Sequence, residues 1–509
     1  MRKELIDLPY IGLDVGSSGC KAAVIDETGR ILALEHAEYS FITPEAGRVE
    51  LDPSAVLDAV KNVLRRIAPH SQPVKALAVS SLGESMVLQD AEGHILTNGI
   101  VYLDERGQEI AGQIQQKIRP DALHQLTGVP LSPMYSLCRY LWLREHRPNI
   151  IQKTKKINLF GDYITYILCG ERAIDPSSAS RTMLLDVKNL CWSQEIADQF
   201  DIPIDQFPTI TATGTQLGKI RPAIADELGL PRHIEIIMGC HDQAAANLGS
   251  GVYHAGDTMA GQGSTESINT IIESSQITSK LIEYGVGFEP YIEPGKYFTI
   301  VGQLAHGSSI KWFVHTVGTD FDGDAARPGE SLYDRAERAC APNAGDLYFL
   351  PYLSRVNILD ANDHALGGFI GLDVTVSKAQ MYRALLEGIS FETRKSFELL
   401  EDMGFSPQKI VASGGSSKSP LFMQMKADIL NRPIHILGNP EAGAAGLGMV
   451  CAVACGDVDN YQEGMERFVR IAKTYEAGTA DYRSRYRRFE IIRETVKTMY
   501  AQHNLIESE

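Results

Sequence analysis

Five groups of residues combine types and spacing that could do chemistry, each at the end of an apolar run. In DVGSSGCK (14–21) a strand ends in Asp14, and Gly16 and Gly19 let the chain turn sharply and gather amide N–H groups. With the Ser17 and Ser18 hydroxyls, such a turn can hold phosphate oxygens. Asp14 could hold a hydrated Mg2+, which prefers carboxylate and water oxygens. Lys21 is a mobile cation able to reach the same phosphates. Taken alone, the segment reads equally as an ordinary hairpin turn. GQGSTES (261–267) repeats the recipe with Gly261, Gly263, Ser264 and Thr265, and two such turns suggest two phosphate-gripping loops facing each other across a cleft. GCHDQ (239–243) follows an apolar strand and presents short polar side chains at the carboxyl end of a sheet, where α/β sites lie. There Asp242 could take a proton from a substrate hydroxyl, or it could cap a helix beginning near Gln243. His241 has no second His or Cys at ligand spacing and reads as a hydrogen-bonded structural histidine.

SGGSSKSP (413–420) ends a strand in Gly414 and Gly415, which allow close approach of a purine or its ribose, or form a plain strand-to-helix turn. GESM (83–86) and GIVYLDERG (99–107) place Glu84, Asp104 and Arg106 just past apolar strands, as hydrogen-bonding groups for a polyhydroxylated substrate or as surface loop charge. Trp142 and Trp312 sit in apolar runs at helical spacing and read as core.

The elements that must position these groups follow an order. YIGLD (10–14), KAAVID (21–26) and ILALEHAEYS (31–40) read as a three-stranded meander. Asp52 and Pro53 then open a helix, with Val56, Leu57, Val60, Val63, Leu64 and Ile67 on one face. VKALAVS (74–80) returns to the sheet. Strand, strand, strand, helix, strand is the order of a ribonuclease-H-like unit. A similar order recurs in DTMAGQ (257–262), SINTIIE, YFTIVGQ (297–303), GSSIKWFVHTVG and KIVASGG (409–415), which leads into the amphipathic helix SPLFMQMKADIL. The two halves share element order, not sequence, and the best boundary is GSGVYHAG (249–256).

The chain of 509 residues is 44% apolar and 22% charged, the balance of a globular protein of several domains. Its 64 acidic against 48 basic residues give a net charge of -16, which repels phosphate backbones and argues against nucleic-acid or anionic membrane partners. The eight cysteines form no CxxC pair and read as buried thiols of a reducing compartment. No apolar leader segment opens the chain, and the low-polarity run 443–456 is shorter than the ~18 residues of a membrane span, so a cytoplasmic protein is expected.

In order and spacing, DVGSSGCK, GIVYLDERG, GCHDQAAANLG, GQGSTES, HGSSIKW, YRALLEGI and ASGGSSKSPLFMQMKADIL resemble the FGGY family of carbohydrate kinases over about residues 9 to 455. The resemblance implies an α/β fold of two ribonuclease-H-like, actin-like domains around a catalytic cleft, over 8–251 and 257–455, with a helical extension over 456–509 packed on the second. It implies transfer of the ATP γ-phosphoryl group to a sugar or polyol hydroxyl. By resemblance Asp242 is the catalytic base and Asp14 the residue that orients Mg2+. Gly16, Ser17, Ser18 and Lys21 form the first phosphate loop, and Gly263, Ser264 and Thr265 the second. Gly307 and Lys311 border the nucleotide, and Gly414, Gly415 and Ser416 bind adenosine. Glu84, Tyr102, Asp104, Arg106 and Gln243 fall in the acceptor site. ATP and Mg2+ are the implied cofactors and a small sugar or polyol the partner. Nucleic acid and membrane are excluded, and a homodimer is left open.

The departures from the family pattern concern the acceptor and one stretch beside the nucleotide. Gly83 replaces the arginine of glycerol kinases, the Met-His pair of xylulokinases is absent from SSLGES, SRVNILD (354–360) replaces a Gly-x-Arg-x-Pro stretch, and GGSS stands for GGGA. An actin-like ATPase and a non-catalytic sugar sensor are the competing readings.

Overall fold

The structure, a computed structural model, describes residues 9–71, 74–318, 320, 327–354 and 365–507. The chain divides into two compact units, each discontinuous in sequence. The first holds the chain through Tyr253 together with Ile272–Phe298 and Glu441–Arg470; the second holds His254–Ile271, Thr299–Pro440 and the chain from Ile471 on.

In the first unit β1 (Tyr10–Val15) is apolar on both faces and buried except at Asp14, as a strand covered on both sides must be. It pairs antiparallel with β2 (Gly19–Ile25), and β2 with β3 (Ile31–Glu38), whose alternation of half-buried and exposed residues marks an edge. The Asp52 carboxylate accepts from the Ser54 amide and starts α1 (Pro53–Ile67), which buries Val56, Val60, Val63, Leu64 and Ile67. β4 (Ala76–Ser81) enters parallel to β1. A long excursion with its own apolar core, including Leu88, Ile114, Leu137 and Trp142, separates it from β5 (Gln216–Lys219) and β6 (Glu235–His241). β6 lies parallel to β4, with a register irregularity between Ile237 and Cys240, and runs directly into α2 (Asp242–Gly249). The sheet order is β3-β2-β1-β4-β6-β5. The helix Ala442–Ala454 closes one face. Gly446 presses on the Ala245 carbonyl, so α2 and this helix meet backbone to backbone, where no side chain fits.

The second unit repeats the plan. β7 (Asp257–Gln262) and β8 (Glu266–Glu273) pair antiparallel around a three-residue turn. β9 (Lys296–Gln303) leads to α3 (Gly307–Thr316), and α4 (Lys378–Asp402) precedes β10 (Lys409–Ser413), which is parallel to β7. α5 (Pro420–Leu430) connects to β11 (Ile434–Leu437), parallel to β10 and antiparallel to β12 (Ile471–Tyr475). The second sheet has seven strands, in the order Phe288–Pro290, β9, β8, β7, β10, β11, β12, and its run β9-β8-β7-β10 repeats the β3-β2-β1-β4 run of the first, each followed by one parallel and one antiparallel strand. The duplication inferred from element order is thus present as shared topology.

Three expectations are corrected. The stretch 456–509 is not one extension: through Arg470 it belongs to the first unit, and Ile471–Tyr475 is a strand of the second sheet. The cysteines are not uniformly buried: Cys20, Cys138, Cys240 and Cys451 are buried, whereas Cys191 is exposed in a short hairpin. The helix expected near Gln243 begins at Asp242 itself, and His241 before it makes no side-chain cap bond. Among the described residues, no helix is long and apolar enough to cross a membrane.

Candidate active site

Three neighbouring parallel strands, β1, β4 and β6, place their carboxyl ends together and bring Asp14, Glu84 and Asp242 to one edge of the first sheet. Asp14 accepts a hydrogen bond from the Ser80 hydroxyl on β4 at 2.7 Å. Burial raises its carboxyl above the ordinary range, and Ser80 and Lys21 work against that rise. The glycine turn after it is tied down by its own backbone: the Gly16 amide donates to the Gly19 carbonyl at 2.9 Å and the Tyr39 hydroxyl to the Gly16 carbonyl at 2.5 Å. Ser17 and Ser18 stand at its tip. Lys21, opposite Asp14 across the hairpin, pairs with Glu441 at 2.9 Å.

Asp242 opens α2 with 30% of its side chain exposed, and His241 Nε2 lies 3.1 Å from its Oδ1. Burial, then the Asp14 and Glu84 carboxylates, push the Asp242 carboxyl up to about 8, against the pull of Arg181 and the Gln243 amide N–H, which donates to it. Burial holds His241 far below its usual range, so the imidazole is neutral and can donate through Nε2. Tyr102 is exposed at 43%, yet burial of its phenol raises it above its ordinary range, with Glu84 and Asp242 adding to the rise and the nearby Ser17 working against it.

Asp104 and Arg106, expected to face a substrate, are instead spent inside the fold. Asp104 receives the Val49 amide at 2.7 Å, the Arg106 side chain and Arg139, while Arg106 also pairs with Glu50 at 2.8 Å and lies over the Trp142 ring. Both are buried, and together they hold the loop that presents Tyr102.

Glu84 is buried in the left-handed region, with φ 45°. Its carbonyl accepts from Ser136 Oγ at 2.6 Å and its carboxylate from Arg181 at 2.9 Å. Arg181 reaches Glu289 at 2.7 Å with its other nitrogen. Sequence reasoning missed Arg181 and Glu289. Neither sits at a strand end with glycines, and the only local trace is Gly83: a Cβ there would lie 2.6 Å from Arg181 Cγ.

In the second unit Gly263, Ser264 and Thr265 form the exposed tip between β7 and β8. The first turn of α3 is stitched to that tip. The His306 and Ser308 amides donate to the Ser264 carbonyl at 3.0 and 3.1 Å, and the Gly307 amide to the Gly263 carbonyl at 3.1 Å. Lys311 is exposed one turn further along α3. Gly414, at φ 99°, takes its place against the Gln262 carbonyl, where a Cβ would lie 2.5 Å from the oxygen. Gly415 and Ser416 follow, so the predicted nucleotide residues of this unit share one sheet edge. Beneath the tip, Glu266 pairs with Lys426, which lies 3.1 Å from His306, all three fully buried. Against the upward push of burial, Lys426 and His306 hold Glu266 down at about 2. The departure at 354–360 lies, from 355 on, outside the described residues.

Comparison with known proteins agrees with this geometry. Residues 9–249 match the N-terminal domain, and residues 266–455 the C-terminal domain, of the FGGY family of carbohydrate kinases. The chain is 26% identical over 471 residues to the xylulose kinase of Bacillus subtilis (strain 168), covering 91% of this chain and 92% of that one. It is 27% identical over 458 residues to the gluconokinase of the same organism, covering 89% and 88%. A solved structure of ligand-bound xylulose kinase from Lactobacillus acidophilus superposes with a TM-score of 0.88 at 25% identity, covering 97% of this chain and 99% of that one. A sugar phosphotransferase with two actin-like, ribonuclease-H-like domains accounts for both sheets, and the chain belongs to the FGGY family of carbohydrate kinases.

Proposed function

We propose that this sugar kinase transfers the γ-phosphoryl group of MgATP to a hydroxyl of a sugar or polyol, with Asp242 as general base. The observation that carries the reading is Asp242 itself. It is a partly exposed carboxylate at the convergence of three strand ends, poised at about 8, beside a glycine turn and a buried hydrogen-bonding cluster. A base works best when its affinity for the proton lies near the operating pH. An acceptor hydroxyl on Asp242 gives up its proton to the carboxylate as its oxygen bonds to phosphorus. His241, neutral, donates from Nε2 and holds the carboxylate in orientation.

In the first unit the amides and hydroxyls of Ser17 and Ser18, on the turn that Gly16 opens, are the donors for phosphate oxygens, with Lys21. Gly263, Ser264 and Thr265 supply the second set, in the unit where Gly307 and Lys311 border the nucleotide and Gly414, Gly415 and Ser416 take the adenosine. Positioned donors of this kind, rather than covalent chemistry, are what phosphoryl transfer requires. Glu84, Tyr102 and Gln243 meet the acceptor, and Asp104 and Arg106 act by fixing the Tyr102 loop.

The residues fit Mg2+. Asp14 accepts from Ser80 on Oδ1, and Oδ2 lies toward Gly443, which carries no side chain to cover it. Magnesium uses one or two carboxylates plus phosphates and water, so Asp14 suffices on the protein side. Bound there, the ion would neutralise charge building on the phosphates.

A coupled ADP-release assay at fixed MgATP tests the reading. Pentuloses, hexuloses, tetritols, pentitols and aldonates are offered in turn. At least one is expected to raise turnover well above the acceptor-free rate; ADP release indifferent to every acceptor contradicts it.

A further inference from the structure

The basic side chains of the first unit's candidate site residues are already matched by carboxylates. Lys21 is paired with Glu441, and Arg106 and Arg139 with Asp104. Arg181, the cation that acts on Asp242, is clamped between Glu84 and Glu289 at 2.9 and 2.7 Å. Against that one shared guanidinium stand the acidic side chains of Glu84, Glu289, Asp14 and Asp242, the last adding its charge once it gives up its proton. The clamp is also over-determined sterically. Arg181 passes directly over Gly83, and Glu84 keeps a left-handed backbone, a strain that persists only where the surroundings impose it.

The hydrogen-bonding capacity has the same bias. Glu289 Oε2 and His241 Nδ1 are buried, 3.7 Å apart, and neither has a hydrogen-bond partner among the described residues. Carboxylate oxygens only accept, so this edge of the sheet calls for donors. An alcohol donates; a carboxylate brings two more acceptors and another negative charge.

We propose that Arg181, locked between Glu84 and Glu289, is a specificity-determining residue that restricts the acceptor to uncharged polyhydroxy compounds, ketoses or polyols, and rejects aldonates. The inference rests on the reading of Asp242 as the base that receives the acceptor hydroxyl. It separates two chemistries that the relatives' names leave side by side.

The test compares acceptors of equal carbon number at fixed MgATP with the full-length protein: D-xylulose and xylitol against D-xylonate, and D-fructose and sorbitol against D-gluconate. The uncharged members of each set are expected to win, with kcat/KM for the aldonate lower than that of the better uncharged acceptor by on the order of 100-fold, the scale of like-charge juxtaposition. Glu289→Gln releases one side of the guanidinium for an incoming carboxylate. It is expected to narrow the aldonate-to-ketose ratio by about fivefold, the scale of one water-screened charge pair at contact distance. Because the ratio is taken within one protein, a general loss of folded enzyme cancels. An aldonate used as well as or better than its uncharged counterpart overturns this proposal and leaves the kinase reading standing. So does a ratio unmoved by Glu289→Gln. ADP release blind to every acceptor removes the kinase reading and this proposal with it.

Discussion

Asp242 is held in a setting that favours its neutral form in the resting protein, because burial and two neighbouring carboxylates outweigh Arg181. Two consequences follow at this single residue. Its folded-state value of about 8 lies above the roughly 3.9 of an unfolded aspartate, so the native state binds the proton more tightly and stability falls as pH rises between the two. Catalysis needs the deprotonated form, so kcat/KM for the acceptor should climb with pH along an acid limb centred near 8, read from a rate profile between pH 5.5 and 9.5. Asp242→Asn removes the charge and its repulsion; thermal unfolding at pH 9 should show it more stable than the parent by about 1 kcal/mol, a gain typical of relaxing an active site. Asp14, Asp242 and the glycine turns were legible in the sequence because each is a local pattern at a strand end. Asp104 and Arg106 were legible as polar residues past a strand, but not as mutual partners, because Glu50 and Arg139 come from elsewhere in the chain. Arg181 and Glu289 were illegible for the same reason.

Among the elements, the tip between β7 and β8 depends on charge buried beneath it. Glu266 closes the hairpin and His306 precedes α3, and Lys426 from α5 joins the two. Removing one partner strands a buried charge at a cost of about 3–5 kcal/mol, whereas removing both costs less. Lys426→Met should therefore lower the midpoint of denaturant unfolding strongly, and Lys426→Met with Glu266→Gln should recover part of the loss; equal losses in the single and double variants would speak against the coupling. The strands and helices around this cluster were readable because DTMAGQ, KIVASGG and SPLFMQMKADIL carry the period of their structures. Lys426, one lysine on a helix, gave no sign of its burial, which depends on what packs over it.

For the whole molecule, chain order and compactness part company. The helix Ala442–Ala454 lies in the first unit, against β1 and α2, although the second unit's sequence separates it from them. A Cβ at Gly12 of β1 would lie 2.6 Å from the Ala444 carbonyl oxygen, so that face of the sheet is built to be covered. Ending the chain at Pro440 should leave the first unit's apolar face open, giving an insoluble product or one without near-UV circular dichroism, while trimming residues 502–509 should not. The boundary at 249–256 was readable from its glycines and falls where the first unit's leading segment ends. The return of 441–470 was not, since GAAGLGMVCAVA reads only as apolar helix and its partner is set by backbone approach at Gly446.

The most direct measurement compares acceptor-stimulated ADP release by the parent protein and by Asp242→Asn at saturating MgATP, with nucleotide affinity determined separately by titration. The variant is expected to bind nucleotide within about threefold of the parent and to lose on the order of 1,000-fold in acceptor-dependent turnover, the scale of a lost general base. Retained turnover in a folded, nucleotide-binding Asp242→Asn protein would contradict the account.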